Sequence, residues 1–359
     1  MNPLPRWRGF NLLDMYIYEP GREKINPGDS TPIGGNTFGG GEGDFREEEF
    51  EWVRDWGFDF LRIPMDYRYW TEFSGDSGGG WKFRENVMQR IDRVVSLAEK
   101  YSVHVSLSFH RAPGYCVNAP AEARSLWTDA GMQGMFAAQW NAFAVRYRGV
   151  PSSRLSFDLV NEPPAAGMTG FVTGSGMTRG AHERVIRAAV GAIHSADPHR
   201  LIMANGLNYG TEPIEELTDV PNLGQSCRMY APFGISHYQA HWVSYAWRKA
   251  PAWPGADHFG RTWGQEHLER HFEPWAELVK RGIGVHCGEG GAFSKTPHDV
   301  VLRWMSDAFA ILRSHNIGWA LWNLRGGFGI LDSERADVAY AEWHGHRLDR
   351  AMLELLRAN

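Results

Sequence analysis

The chain has 359 residues, 43% of them apolar and 22% charged, with a net charge of −5 at pH 7, a balance that fits a globular fold with a sizeable core and excludes an intrinsically disordered one. No run of Lys or Arg builds the basic patch that nucleic acid requires, and no window approaches the roughly 18 apolar residues of a membrane span, so neither is an expected partner. Cys116, Cys227 and Cys287 are too few and too widely spaced for a disulfide framework or a CxxC metal site.

The opening MNPLPRWRGFNLLDMY lacks the charged start, apolar stretch and cleavage site of a secretory signal, so a cytoplasmic location is expected. Short apolar runs bounded by Gly, Pro and Asn then predict eight strands: RGFNLL (8–13), FDFLRIP (58–64), VHVSLSFH (103–110), LSFDLVNE (155–162), RLIMANG (200–206), FGISHY (233–238), GVHCGEG (284–290) and GWALWNL (318–324). Between them, apolar residues recurring at three and four predict helices over 85–101, 134–147, 182–196 and 298–315, the last opened by Thr296-Pro297. Alternating strands and helices imply parallel pairing, and eight such units close into a (β/α)₈ barrel of the α/β class. A doubly wound open sheet is the competing arrangement, disfavoured because no Gly-rich phosphate loop follows the first strand. With no internal repeat or linker, residues 1–359 are read as one domain.

Three Gly-rich segments, 34–44, 74–81 and 168–180, lack the spacing of a nucleotide fingerprint and are expected to be loop insertions after the first, second and fourth strands. The chain carries 16 Trp. Some of these belong to the core, but Trp70, Trp81, Trp127, Trp242, Trp247, Trp253 and Trp263 fall in loops where a flat ring can stack on a sugar face.

In a closed parallel barrel the active site forms at the C-terminal ends of the strands. The polar and aromatic residues predicted there are Arg62, His110, Asn161 with Glu162, His237 with Tyr238, Glu289, and Trp322 with Asn323. Two carboxylates at strand ends, Glu162 and Glu289, are what glycosidic cleavage needs: one protonates the leaving oxygen, the other attacks the anomeric carbon or activates water. At an effective dielectric of about 20, charges about 5.5 Å apart repel by about 3 kcal/mol, so ionising one keeps the other protonated. Arg62 is placed either to hold Glu289 as the anion or to pair with Asp158 inside the barrel, and Tyr238 is a candidate donor to Glu289. His110, Glu289 and Trp322 also have plainer readings, as a core histidine, a loop charge and a core tryptophan.

LRIP with Arg62, SFHRAPG with His110, NEP with Asn161 and Glu162, SHY with His237, GEGGAF with Glu289 and WALWN with Trp322 together resemble glycoside hydrolase family 5, the cellulase-like retaining (β/α)₈ enzymes. The resemblance spans residues 8 to about 325. It implies that Glu162 is the acid/base and Glu289 the nucleophile, that Arg62 supports the nucleophile and that Asn161 bonds the sugar 2-hydroxyl. It places His110 and His237 along the −1 subsite and makes Trp322 its platform. The family sets its tyrosine two residues after the second histidine; here that position is Gln239 and the tyrosine is Tyr238.

The expected substrate is a β-linked oligo- or polysaccharide, β-1,4-glucan first and mannan as the alternative, with no cofactor and no metal. A non-catalytic sugar-binding barrel conflicts with the intact glutamate pair. A metal hydrolase would want an HxH pair where the first strand reads RGFNLLDMY. Oligomeric state is left open.

Overall fold

The computed structural model describes residues 4–18, 45–73, 80–170, 176–243 and 249–359. Eight parallel strands form its centre: β1 (Arg8–Asn11), β2 (Phe60–Asp66), β3 (His104–Ala112), β4 (Leu155–Asp158), β5 (Leu201–Asn205), β6 (Leu223–Met229), β7 (Val285–Gly290) and β8 (Gly318–Leu321). Each pairs with the next in sequence, and β8 closes onto β1. The sheet is therefore the closed barrel, and the open doubly wound alternative is excluded.

The helices named α1 (Glu47–Asp55), α2 (Glu85–Tyr101), α3 (Ala130–Arg146), α4 (Arg179–Ala196), α5 (Gln265–Lys280), α6 (His298–Ser314) and α7 (Arg350–Ala358) surround it. Two of the predicted helices begin earlier than their apolar period because a side chain caps them. Asp129 accepts from the Met132 N–H and Thr178 from the Ala181 N–H.

Strand alternation sorts residues into two layers. On β2, Leu61, Ile63 and Met65 join the apolar layer under the helices, whereas Phe60 joins Leu4, Trp7, Met203 and Ala320 in a small cluster that plugs the barrel. Above that plug the interior turns polar: Arg62, Ser106, Ser156, Asp158 and Ser226 line one small cavity with His286. Polar groups this deep persist only where they bond one another, and they form the base of the site.

One predicted strand is wrong. FGISHY is a single helical turn, Phe233–Ser236, and the sixth strand is LGQSCRM at 223–229. The Gly-rich stretches 34–44, 74–79 and 171–175, and Trp247, lie outside the described residues.

Candidate active site

Arg62 lies in mid-β2 and is 1% exposed. All its N–H groups are used. Nε donates to Asp158 Oδ2 at 2.6 Å; Nη1 donates to Glu289 Oε1 at 2.6 Å and Asn11 Oδ1 at 3.1 Å; Nη2 donates to Ser108 Oγ and Asn161 Oδ1, each at 2.8 Å. The two partners anticipated for Arg62 are thus not alternatives, because Asp158 and Glu289 occupy different edges of one guanidinium.

Regular pairing on β4 stops at Asp158, short of the predicted end at 162. The chain runs on to Asn161, whose N–H donates to Phe109 O on β3 at 3.0 Å. At Glu162 the backbone enters the left-handed region, φ 47°, and Pro163 and Pro164 exclude further pairing. The Glu162 N–H donates to Asn205 Oδ1 at 3.2 Å, and its carbonyl accepts from the Tyr115 hydroxyl at 2.6 Å. These bonds fix the residue on the rim, where its side chain is 14% exposed. Burial, then the charge of Glu289, pushes the Glu162 carboxyl up to about 7, against the pull of Arg228 and Arg62.

Glu289 is reached through a bulge in β7. Cys287 stands opposite Cys227 and Glu289 opposite Arg228, so Gly288 is the extra residue. A Cβ there would lie 2.5 Å from Ser226 Oγ. A second bulge sits between β2 and β3, where Met65 faces Phe109 and Asp66 faces Arg111, leaving His110 as the extra residue.

The corrected sixth strand brings in two residues that the sequence reading missed. Arg228 donates from Nε to Glu162 Oε1 at 2.8 Å, and its Nη2 lies 3.3 Å from Glu289 Oε1. Tyr230, just past β6, donates to Glu289 Oε2 at 3.1 Å. The hydroxyl of Tyr238 instead accepts from Gln239 Nε2 at 2.9 Å, so it is not the partner of the nucleophile candidate. The two-residue spacing expected between a basic residue and its tyrosine is present as Arg228-Met229-Tyr230, with arginine where the resemblance expects histidine. His237 stands behind Tyr230, ring centroids 5.6 Å apart, and burial lowers it to about 4.

Asn161 accepts through Oδ1 from both guanidiniums, at 2.8 and 2.9 Å. Since those groups can only donate, its amide oxygen must face them and Nδ2 is turned away, buried and without a partner. His110 is in the same condition. Burial, then the charges of Arg62, Arg228 and Arg111, hold it well below its ordinary pKa and so neutral. Its Nε2 faces the Asn118 amide nitrogen at 3.3 Å and acts as the acceptor, which leaves an unpartnered N–H at Nδ1.

Trp322 is buried, 4% exposed, edge-on to Tyr16 at 5.2 Å and tilted to His110 at 5.6 Å. Asn323 serves structure, accepting from the Phe328 N–H at 3.2 Å. Of the loop tryptophans, Trp70, Trp127 and Trp253 are core, at most 3% exposed. Trp81, Trp242 and Trp263 are partly exposed, and Trp242 packs on Phe293 beside Tyr230 and Trp322. Among the described residues no group of His, Cys, Asp or Glu is arranged to hold a metal ion, and no helix is long and apolar enough to cross a membrane.

Residues 29–327 match the family described as Cellulase (glycosyl hydrolase family 5). The chain belongs to glycoside hydrolase family 5. It is similar to Endoglucanase C of Acetivibrio thermocellus, 25% identical over 318 residues that cover 82% of this chain and 88% of that one. A crystal structure of a glycoside hydrolase is 35% identical with a TM-score of 0.85, covering 98% and 99% of the two chains. Cel5A of Thermotoga maritima, solved with cellobiose, shares the fold at 22% identity and a TM-score of 0.72, with 98% and 97% covered. As a family 5 member the chain is a retaining glycosidase of the (β/α)₈ clan.

Proposed function

We propose that this glycosidase hydrolyses β-1,4-linked glucan chains by double displacement, with Glu162 as acid and base and Glu289 as nucleophile. The observation that carries the assignment is the asymmetry of the pair. Glu289 receives donors on both oxygens, from Arg62 and from Tyr230, the environment of an anion. Glu162, raised to about 7, is still largely protonated at mildly acidic pH.

Glu162 gives its proton to the glycosidic oxygen as Glu289 attacks the anomeric carbon, forming a glycosyl ester and releasing the leaving sugar. Glu162, now the anion, takes a proton from water as that oxygen attacks the same carbon and the ester bond breaks. The unpartnered Asn161 Nδ2 and His110 Nδ1 are donors for ring hydroxyls.

β-1,4-Glucan is supported by relatives: Endoglucanase C, and Cellodextrinase A of Ruminococcus flavefaciens at 22% identity over 280 residues. The test is a panel of cello- and manno-oligosaccharides with products resolved by length and anomer. Cello-oligosaccharide cleavage releasing the β-anomer first is expected. Release of the α-anomer first, or cleavage of the mannan series alone, overturns the proposal.

A further inference from the structure

Arg228 is wholly buried and spends every N–H: Nε on Glu162, Nη1 on Ser226 Oγ and Cys227 O at 3.0 Å each, and Nη2 on Asn161 Oδ1 and Asn205 Oδ1, with Glu289 Oε1 beside it at 3.3 Å. Among the described residues it is thus the cation in contact with both carboxylates, whereas Arg62 bonds Glu289 and Asp158. Resting on the assignment above, we propose that Arg228 is a positioning residue that serves both half-reactions, a fixed cation across which one negative charge passes from Glu289 to Glu162 and back.

The charge balance gives the reason. Before attack, Glu289 and Asp158 are anionic, Glu162 carries its proton, and two guanidiniums face two anions. When the glycosyl ester forms, the charge of Glu289 is consumed in the new bond and Glu162 is left anionic by the proton it gave up. Two guanidiniums again face two anions, and the anion has only changed sides of Arg228. A buried cation left without its counter-ion is costly, so a guanidinium touching one carboxylate alone would be stranded in half of the cycle. An imidazole could shed its proton instead; the guanidinium cannot.

The other titratable groups around the pair do not take over this task. The phenols of Tyr16, Tyr115 and Tyr230, raised well above their ordinary range by burial, and that of Tyr209, also raised by burial, remain neutral near pH 7. His110 and His286 are held neutral by burial, and His271 is shifted the same way.

The test compares kcat/KM against pH for R228Q and R228K on an aryl β-cellobioside. A positive charge beside two carboxylates favours both anions, so R228Q should shift both limbs of the profile upward by about one pH unit or more. R228K, keeping the charge but losing the fork, should hold both limbs and lower kcat about tenfold or more with KM little changed. With a dinitrophenyl leaving group, R228Q should also show a burst, because the step that needs anionic Glu162 becomes the slower one. Limbs at wild-type pH in R228Q, or wild-type kcat in R228K, overturn the proposal. Should R228Q fail to fold, R228K decides alone on kcat. A wild-type protein that cleaves no β-glycoside would overturn instead the functional assignment on which this rests.

Discussion

Tyr230 donates its hydroxyl to Glu289 Oε2 at 3.1 Å while Arg62 donates to Oε1 of the same carboxylate at 2.6 Å. The proposed nucleophile is therefore held at both oxygens, by a residue on β2 and by one just past β6. A hydrogen bond to a charged group is worth about 1.5–3 kcal/mol, so Y230F should lower kcat/KM on an aryl β-cellobioside by roughly tenfold to a hundredfold. Y238F should leave it unchanged. A larger loss in Y238F than in Y230F would contradict the geometry.

The raised carboxyl of Glu162 sets the alkaline side of the pH profile. It must be protonated to serve as acid, so wild-type kcat/KM should fall about tenfold for each pH unit above about 7. In E162A, assayed with a dinitrophenyl leaving group that needs no proton, that limb should vanish. Azide should then yield a β-glycosyl azide. Persistence of the limb in E162A would assign it to another group.

Removing Glu289 should be more severe. E289A should lose aryl β-glycosidase turnover by about four orders of magnitude or more, and azide should restore it with an α-glycosyl azide as product. Proton NMR of the product separates the two anomers, and a β-azide from E289A would exchange the roles of the glutamates.

Away from the site, Asp14 is buried against Glu49 and Arg325, and burial, then the Glu49 charge, raises its carboxyl to about 7. The folded chain keeps a proton that the unfolded chain releases near pH 4. Its contribution to stability is thus fully present below about pH 4 and is lost as pH rises through about 7. D14N, always neutral, should be more stable than wild type by roughly 1–4 kcal/mol at pH 8 and by a smaller margin at pH 5. Melting curves at the two pH values decide this, and a variant less stable at pH 8 than at pH 5 relative to wild type would refute it.

Strands whose outer face is apolar were readable because Leu61, Ile63 and Met65, or Val105, Leu107 and Phe109, announce a sheet under helices. The sixth strand was not, since Gln225, Ser226 and Arg228 interrupt any apolar run. Ser226 and Arg228 are polar because they build the site, and Gln225 because it bonds both backbone groups of Ile214. The apolar turn at 233–236 looked more like a strand than the strand did. Glu162 and Glu289 stood out as charges at the ends of apolar runs. Arg228 and Tyr230 were hidden because the segment that places them carries no such contrast. The bulges were equally invisible, since nothing in the pattern separates Gly288 or His110 from an ordinary strand position.

Those two bulges bear on any attempt to regularise the barrel. Pairing Gly288 and His110 in register would restore an unbroken ladder between β6 and β7 and between β2 and β3, the kind of backbone a designer would draw first. The same change would set Glu289 opposite Met229 and turn it and the residues beyond His110 through half a pleat, away from the mouth. An idealised version of this chain would be a better sheet with no place to cleave a sugar, so its irregularities are where its chemistry is written.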